Sequence, residues 1–142
     1  MKTYADSSFF VSLYLVDRHS PEAWRRSLQR SPIFLTPFHR AEFAHAVYQH
    51  VFQGKISDQE AQTTLRNFEM DSSTGSWEKV NVPDLAYERC ANLAKSHCPT
   101  LGIRTLDSLH VACALELKAD RFWTFDERQA RLAEAVGLNT NP

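Results

Sequence analysis

The sequence predicts an α/β fold, a short and mostly parallel sheet of four or five strands with helices on both faces. Short apolar runs alternate with longer stretches of helical periodicity in the order β-α-α-β-α-α-β-α-α-β-α, and strands separated by helical crossovers pair in parallel. The 142 residues are 43% hydrophobic, with only four glycines and six prolines. A chain of that length and composition can bury a sizeable core. No repeat or long linker divides it, so residues 1–142 read as one domain.

Lys2–Ala5 reads as the first strand, followed by an apolar helix from about Ser7 to Val16. Ser20-Pro21-Glu22 opens a second helix, with a hydroxyl cap, proline at the first position and an acid in the first turn. Pro32–Leu35 reads as a strand, and Thr36-Pro37 starts a long helix ending near Gly54. Ser57-Asp58-Gln59-Glu60 has capping-box spacing, which predicts a helix to about Met70 and then a loop over Asp71–Ser76. Trp77–Val82 alternates like a strand, with Val80 and Val82 on one face. A helix from Pro83 to Ser96 comes next, then a loop through Cys98–Gly102. Thr105 caps a helix to about Lys118, Arg121–Phe125 is a bulky strand, and Asp126 caps a last helix that Gly137 closes.

The composition excludes a disordered chain. No apolar run approaches the roughly 18–20 residues that span a bilayer. The start, MKTYADSSFF, meets Asp6 before its apolar stretch and does not read as a signal peptide. Cys90, Cys98 and Cys113 lack the spacing of a disulfide framework or zinc ribbon. These features predict a soluble, cytoplasmic protein. With 16 Lys+Arg against 17 Asp+Glu, the chain is not the basic protein that nucleic-acid binding usually requires. Residues 18–40 are the exception, with five arginines against Glu22 alone. Contact with a polyanion is therefore expected to be local, and a solvated helix face is the ordinary alternative.

In parallel sheets, sites form at the carboxyl ends of the strands. Asp6 directly follows the first strand and Asp126 the last, while Asp107 and Glu42 lie near the starts of their helices. Each acid alone has an ordinary capping or surface role. Brought to one rim by right-handed crossovers, they would repel by about 3 kcal/mol per pair at about 5 Å. A hard cation such as Mg²⁺ or Mn²⁺ offsets that cost and keeps positions open for phosphate oxygens. Such a site suits phosphodiester hydrolysis. No glycine-rich loop competes for the phosphate, since Gly54, Gly75, Gly102 and Gly137 are scattered singly.

The stretches TYADSSFFVSLYL, LTPFHRAEFAHAV and RTLDSLHVACALELKADRFWTFDERQARLAEAVGL resemble the PIN-domain family, especially its VapC-type toxins. The resemblance covers nearly the whole chain. It implies a PIN-like three-layer sandwich and Mg²⁺-dependent endoribonuclease activity, with a cognate antitoxin and commonly a homodimer. The family's metal-binding acids carry over to Asp6, Glu42, Asp107 and Asp126, its small hydroxyl to Ser7, and its Thr-x-Asp to Thr124 and Asp126. Those six residues are the expected catalytic set.

His39, Glu42 and His45 are spaced three apart, but no further ligand motif supports a transition-metal site. His110 reads as a packed helix residue, and Arg104 as a partner either of Asp107 or of phosphate. One rival reading remains, and a third is set aside. A non-cleaving PIN-like RNA- or protein-binding module would keep the fold without the chemistry. A phosphoacceptor receiver domain would want adjacent acids near the first strand and a late lysine, where this chain has Asp6-Ser7-Ser8 and Asp126-Glu127.

Overall fold

A computed structural model describes all 142 residues. The elements are β1 (Thr3–Ala5), α1 (Ser7–Tyr14), α2 (Ser20–Ser27), β2 (Phe34–Leu35), α3 (Pro37–Phe52), α4 (Asp58–Ser73), β3 (Glu78–Lys79), α5 (Leu85–Leu101), α6 (Thr105–Glu116), β4 (Arg121–Trp123) and α7 (Glu127–Ala135). β1 pairs in parallel with β4, so that Tyr4 faces Phe122 and Ala5 faces Trp123. β2 pairs in parallel with β3, and a parallel bridge from Thr3 to Ile33 joins the two pairs. The strand order is β3-β2-β1-β4, with Asn139 bridging beside Arg121 at the far edge.

Successive strand residues point to opposite faces of a sheet. Tyr4, Phe34 and Phe122 therefore enter one core, with Leu93 of α5, Val111 and Ala112 of α6, and Leu132 of α7. Ala5, Leu35 and Trp123 enter the other, with Phe9 and Phe10 of α1, Phe43 of α3 and Phe68 of α4. The result is three layers, α1–α4, sheet and α5–α7, as the sequence predicts. No helix is long and apolar enough to cross a membrane.

Several local expectations need correction. α4 runs through Asp71 to Ser73: Ser72 is buried beside Phe68, and Ser73 Oγ donates back to the Glu69 carbonyl at 2.9 Å. α5 continues through Pro99 and stops only at Gly102, whose φ of 64° is left-handed. A proline so close to the helix end removes one backbone bond from an exposed turn, where the freed carbonyl is open to solvent. β3 is far shorter than Trp77–Val82, because β2 offers only two residues for pairing. Val80 and Val82 still pack against the core.

The capping pattern is mostly as expected. Thr36 and Ser57 each form a capping box, and Asp126 caps α7. Ser20 is not the cap of α2 but lies inside it, its hydroxyl accepting from Asp17 N at 2.9 Å and donating to the Ser12 carbonyl at 2.6 Å. Nor does Thr105 cap α6, since Arg104 holds that position without a side-chain bond.

Candidate active site

Because Ala5 faces Trp123, β1 and β4 end level and the residues after them are neighbours. Asp6 N donates to the Trp123 carbonyl at 3.0 Å, and Thr124 Oγ1 donates to Asp6 Oδ2 at 2.9 Å. Asp6 Oδ1 accepts from Ser8 Oγ at 2.6 Å and from Phe9 N at 3.3 Å, capping α1. Burial pushes the Asp6 carboxyl above its ordinary range; attraction to His110 and these hydrogen bonds reduce the shift without cancelling it.

Glu42 lies in the second turn of α3. Its Oε1 accepts from Ser7 Oγ at 2.8 Å and also meets His110 Nε2. Oε2 has no hydrogen bond from the protein. On the other side of the imidazole, Nδ1 lies 2.8 Å from the Tyr4 hydroxyl, and Phe38 stacks on the ring at 4.3 Å. Burial holds the Tyr4 phenol protonated well above its usual range. Since the Glu42 carboxylate can only accept, Nε2–H of His110 donates to it. Burial pushes Glu42 up, but the bonds from His110 and Ser7 and the attraction to His110 outweigh it, and the carboxyl is lowered.

Asp107 stands in the first turn of α6. Burial raises its carboxyl, Arg104 opposes the rise, and repulsion from Asp126 and Glu42 adds to it. The Arg104 contact is 3.6 Å long and its guanidinium is mostly exposed, a pairing of little energetic weight. Gln129, fully buried, joins α6 to α7: its N donates to Asp126 Oδ1 at 2.8 Å and its Nε2 to the Asp107 carbonyl at 3.1 Å. Asp107, Asp126, Arg104 and Arg128 line one cleft of about 390 Å³.

The structure thus couples Asp6 to Thr124 and Ser7 to Glu42, sets Asp107 and Asp126 on a shared cleft, and lets Asp107 feel Glu42. No three of the His, Cys, Asp and Glu side chains stand together closely enough to grip a metal ion. The donors form an open rim, not a closed cage. Their chemistry, four carboxylates with no sulfur, suits a hard divalent cation.

The sequence profile of the PIN domain family matches residues 3–135. The chain belongs to the PIN domain family. Solved structures similar to it include VapC20 of Mycobacterium tuberculosis, a sarcin–ricin-loop-cleaving toxin, at 15% identity and a TM-score of 0.73, covering 99% of both chains. VapBC2 from Rickettsia felis, bound to a DNA fragment from its promoter, is 14% identical with a TM-score of 0.70, over 99% of this chain and 98% of that one. FitAcB from Neisseria gonorrhoeae is 16% identical with a TM-score of 0.69, over 99% and 97%. At such identities the likeness is one of fold. No curated protein sequence matches the chain.

In this PIN domain His110 does more than the packing expected of it. It is buried, yet its ring joins Tyr4 to Glu42. The available signal was its place one turn after Asp107, which puts both on the same helix face. His39 is a structural residue instead: its Nε2 meets the Ala5 carbonyl at 2.7 Å and its Nδ1 accepts from Thr36 N at 3.0 Å. Those bonds use both ring nitrogens and dispose of the spacing-based metal motif. The arginines of residues 18–40 are also less available than their number suggests. Arg25 and Arg26 are paired with Glu22, and Arg40 with Glu69.

The raised Asp107 carboxyl gives this domain a testable pH dependence. Its ionisation costs stability in the metal-free protein. Stability from this group therefore falls as pH rises from the unfolded carboxylate value, about 4, through the raised folded value, and then levels off. In EDTA at pH 7, Asp107→Asn is expected to raise Tm. The difference should vanish below about pH 4, where the parent side chain is neutral too. A thermal-unfolding series in EDTA checks this, and a variant less stable than the parent at pH 7 would remove the repulsion.

Proposed function

We propose that residues 1–142 form a single-domain, divalent-metal-dependent endoribonuclease, the toxin of a type II toxin–antitoxin pair acting in the cytoplasm. The observation that carries this is the cleft shared by Asp107 and Asp126, next to the strand ends where Asp6 meets Thr124. Asp6, Glu42, Asp107 and Asp126 would hold Mg²⁺ or Mn²⁺. When bound, the ion supplies an activated water and stabilises the leaving oxygen. The protein's own part is placement. Thr124 and Ser8 hold Asp6, while Ser7 and His110 hold Glu42 Oε1 and leave Oε2 free to act as a ligand. Arg104 and Arg128 line the cleft beside the acids, where they would attract phosphate.

A relative of the same fold that cleaves the sarcin–ricin loop supports an RNA substrate, and VapBC2 and FitAcB support a cognate antitoxin. Val16, Leu28 and Phe52 expose most of their apolar surface, which is available to that antitoxin or to a second copy in a homodimer. The open spacing of the acids favours one alternative, a PIN-like module that binds RNA or protein without cleaving.

Incubation of purified protein with single-stranded RNA in Mg²⁺ and in EDTA separates the two. The hydrolase should cut only with metal. Because water is the nucleophile, a 2′-deoxy nucleotide at the scissile position should still be cut, and no 2′,3′-cyclic phosphate should form. Absence of cleavage across a panel of RNAs with Mg²⁺ or Mn²⁺ would leave the binding module.

A further inference from the structure

We propose that His19 and Phe125, flanked by Arg18, form a nucleobase-stacking subsite for a single-stranded RNA segment beside the acidic rim. The proposal rests on the ribonuclease reading and extends it to how the strand is held. Phe125 lies between Thr124, which bonds Asp6, and Asp126, so its backbone is part of the rim. The ring is only partly buried. One side of the ring packs against the core, and the imidazole of His19 lies parallel to it within 2° at a centroid distance of 4.4 Å.

His19 comes from the short loop between α1 and α2 and is held from two directions. Its N donates to Asp17 Oδ1 at 2.8 Å, and its Nε2 accepts from Arg18 Nε at 3.2 Å. A flat, partly exposed aromatic pair fixed in advance loses little freedom when a base stacks on it. Every base has a π-face, so such a platform takes a strand without fixing its sequence. A duplex keeps its faces stacked internally, which makes a single-stranded segment the ligand.

The charges agree with this placement. Arg26 lies 5.5 Å from the Phe125 ring, but its guanidinium is tied to Glu22 at 2.7 Å. Arg18 is exposed and makes no ion pair with a carboxylate. Across the rim, Arg104 and Arg128 line the cleft with Asp107 and Asp126. A strand crossing the acids would thus meet a cation on either side, with the stacking pair next to Arg18.

The test uses the full chain in EDTA and a single-stranded oligoribonucleotide carrying 2-aminopurine, whose fluorescence falls on stacking. Parent, His19→Ala, His19→Phe and Arg18→Ala are compared, each with its Tm as a control for folding. His19→Ala should lose about tenfold in affinity together with most of the quenching, and His19→Phe should restore both. Arg18→Ala should weaken binding of all sequences alike and flatten the salt dependence. Equal affinity and quenching in parent and His19→Ala, or duplex bound as tightly as single strand, would overturn the subsite and return the pair to a protein-facing surface. The Mg²⁺ cleavage assay on the parent is read separately. Stacking without cleavage sinks the nuclease and keeps the subsite, whereas cleavage with an unchanged KM in His19→Ala sinks the subsite and keeps the nuclease.

Discussion

Asp107→Asn is expected to reduce Mg²⁺-dependent RNA cleavage by about a hundredfold or more while leaving the fold intact, because a neutral amide is a poor ligand for a hard cation. Asp107 is the cleanest of the acids for this experiment. Its carboxylate makes no hydrogen bond within the protein and only the long contact to exposed Arg104, so little of the fold depends on it. Asp6 is different. Its two oxygens accept from Ser8, Phe9 and Thr124 at the start of α1, and Asp6→Asn disturbs a cap and a strand-end contact together with the proposed metal site. The sequence alone suggests that both substitutions would spare the fold; the structure makes that expectation secure only for Asp107. Added Mg²⁺ should raise the Tm of the parent more than that of Asp107→Asn, since a ligand of the native state stabilises by mass action. Full cleavage by the purified variant, with an equal Mg²⁺ effect on both proteins, would remove Asp107 from the site.

His110→Ala should be the most damaging single change to the rim. The imidazole is buried between Phe38 and Tyr4, and truncation leaves a cavity, takes the 2.8 Å partner from the Tyr4 hydroxyl and releases Glu42 Oε1. Cavity and lost hydrogen bonds together cost about 3–4 kcal/mol, or roughly 10 °C in Tm. The pH dependence identifies the Glu42 part. A carboxyl lowered in the folded state contributes stability that is present above its unfolded value and lost as pH falls through the folded one. Without His110, burial acts on Glu42 with less opposition. The stability gap between parent and variant should therefore be widest near neutral pH and narrow as pH falls through the carboxylate range. Urea unfolding from pH 7 to pH 4 measures it. His110→Gln, which keeps an N–H for Glu42, should recover part of the cleavage lost in His110→Ala. A gap constant across that range, with no recovery in His110→Gln, would reduce His110 to packing.

The layers were legible because they rest on local periodicity. Short apolar runs alternating with helical stretches mark the strands, and the caps at Thr36, Ser57 and Asp126 obey donor–acceptor rules within three residues. Two of the errors fall where an ending depends on something distant. β3 stops at Lys79 because β2 is short, and α4 runs on to Ser73 because Ser72 has a buried place beside Phe68. The four acids were found as types at strand ends and near helix starts, and the resemblance to a family placed them in one set with Ser7 and Thr124.

Sequence by itself determined the α/β class and which acids stand at element ends, since each is a property of neighbouring residues. Tertiary structure alone decided the pairing of Ala5 with Trp123, which brings Thr124 to Asp6 across 118 positions of chain. It also decided that His110 reaches Glu42 from 68 positions away, and that Arg40 pairs with Glu69 of α4. Register and long-range side-chain pairing depend on how whole layers pack, so no local pattern in the chain encodes them.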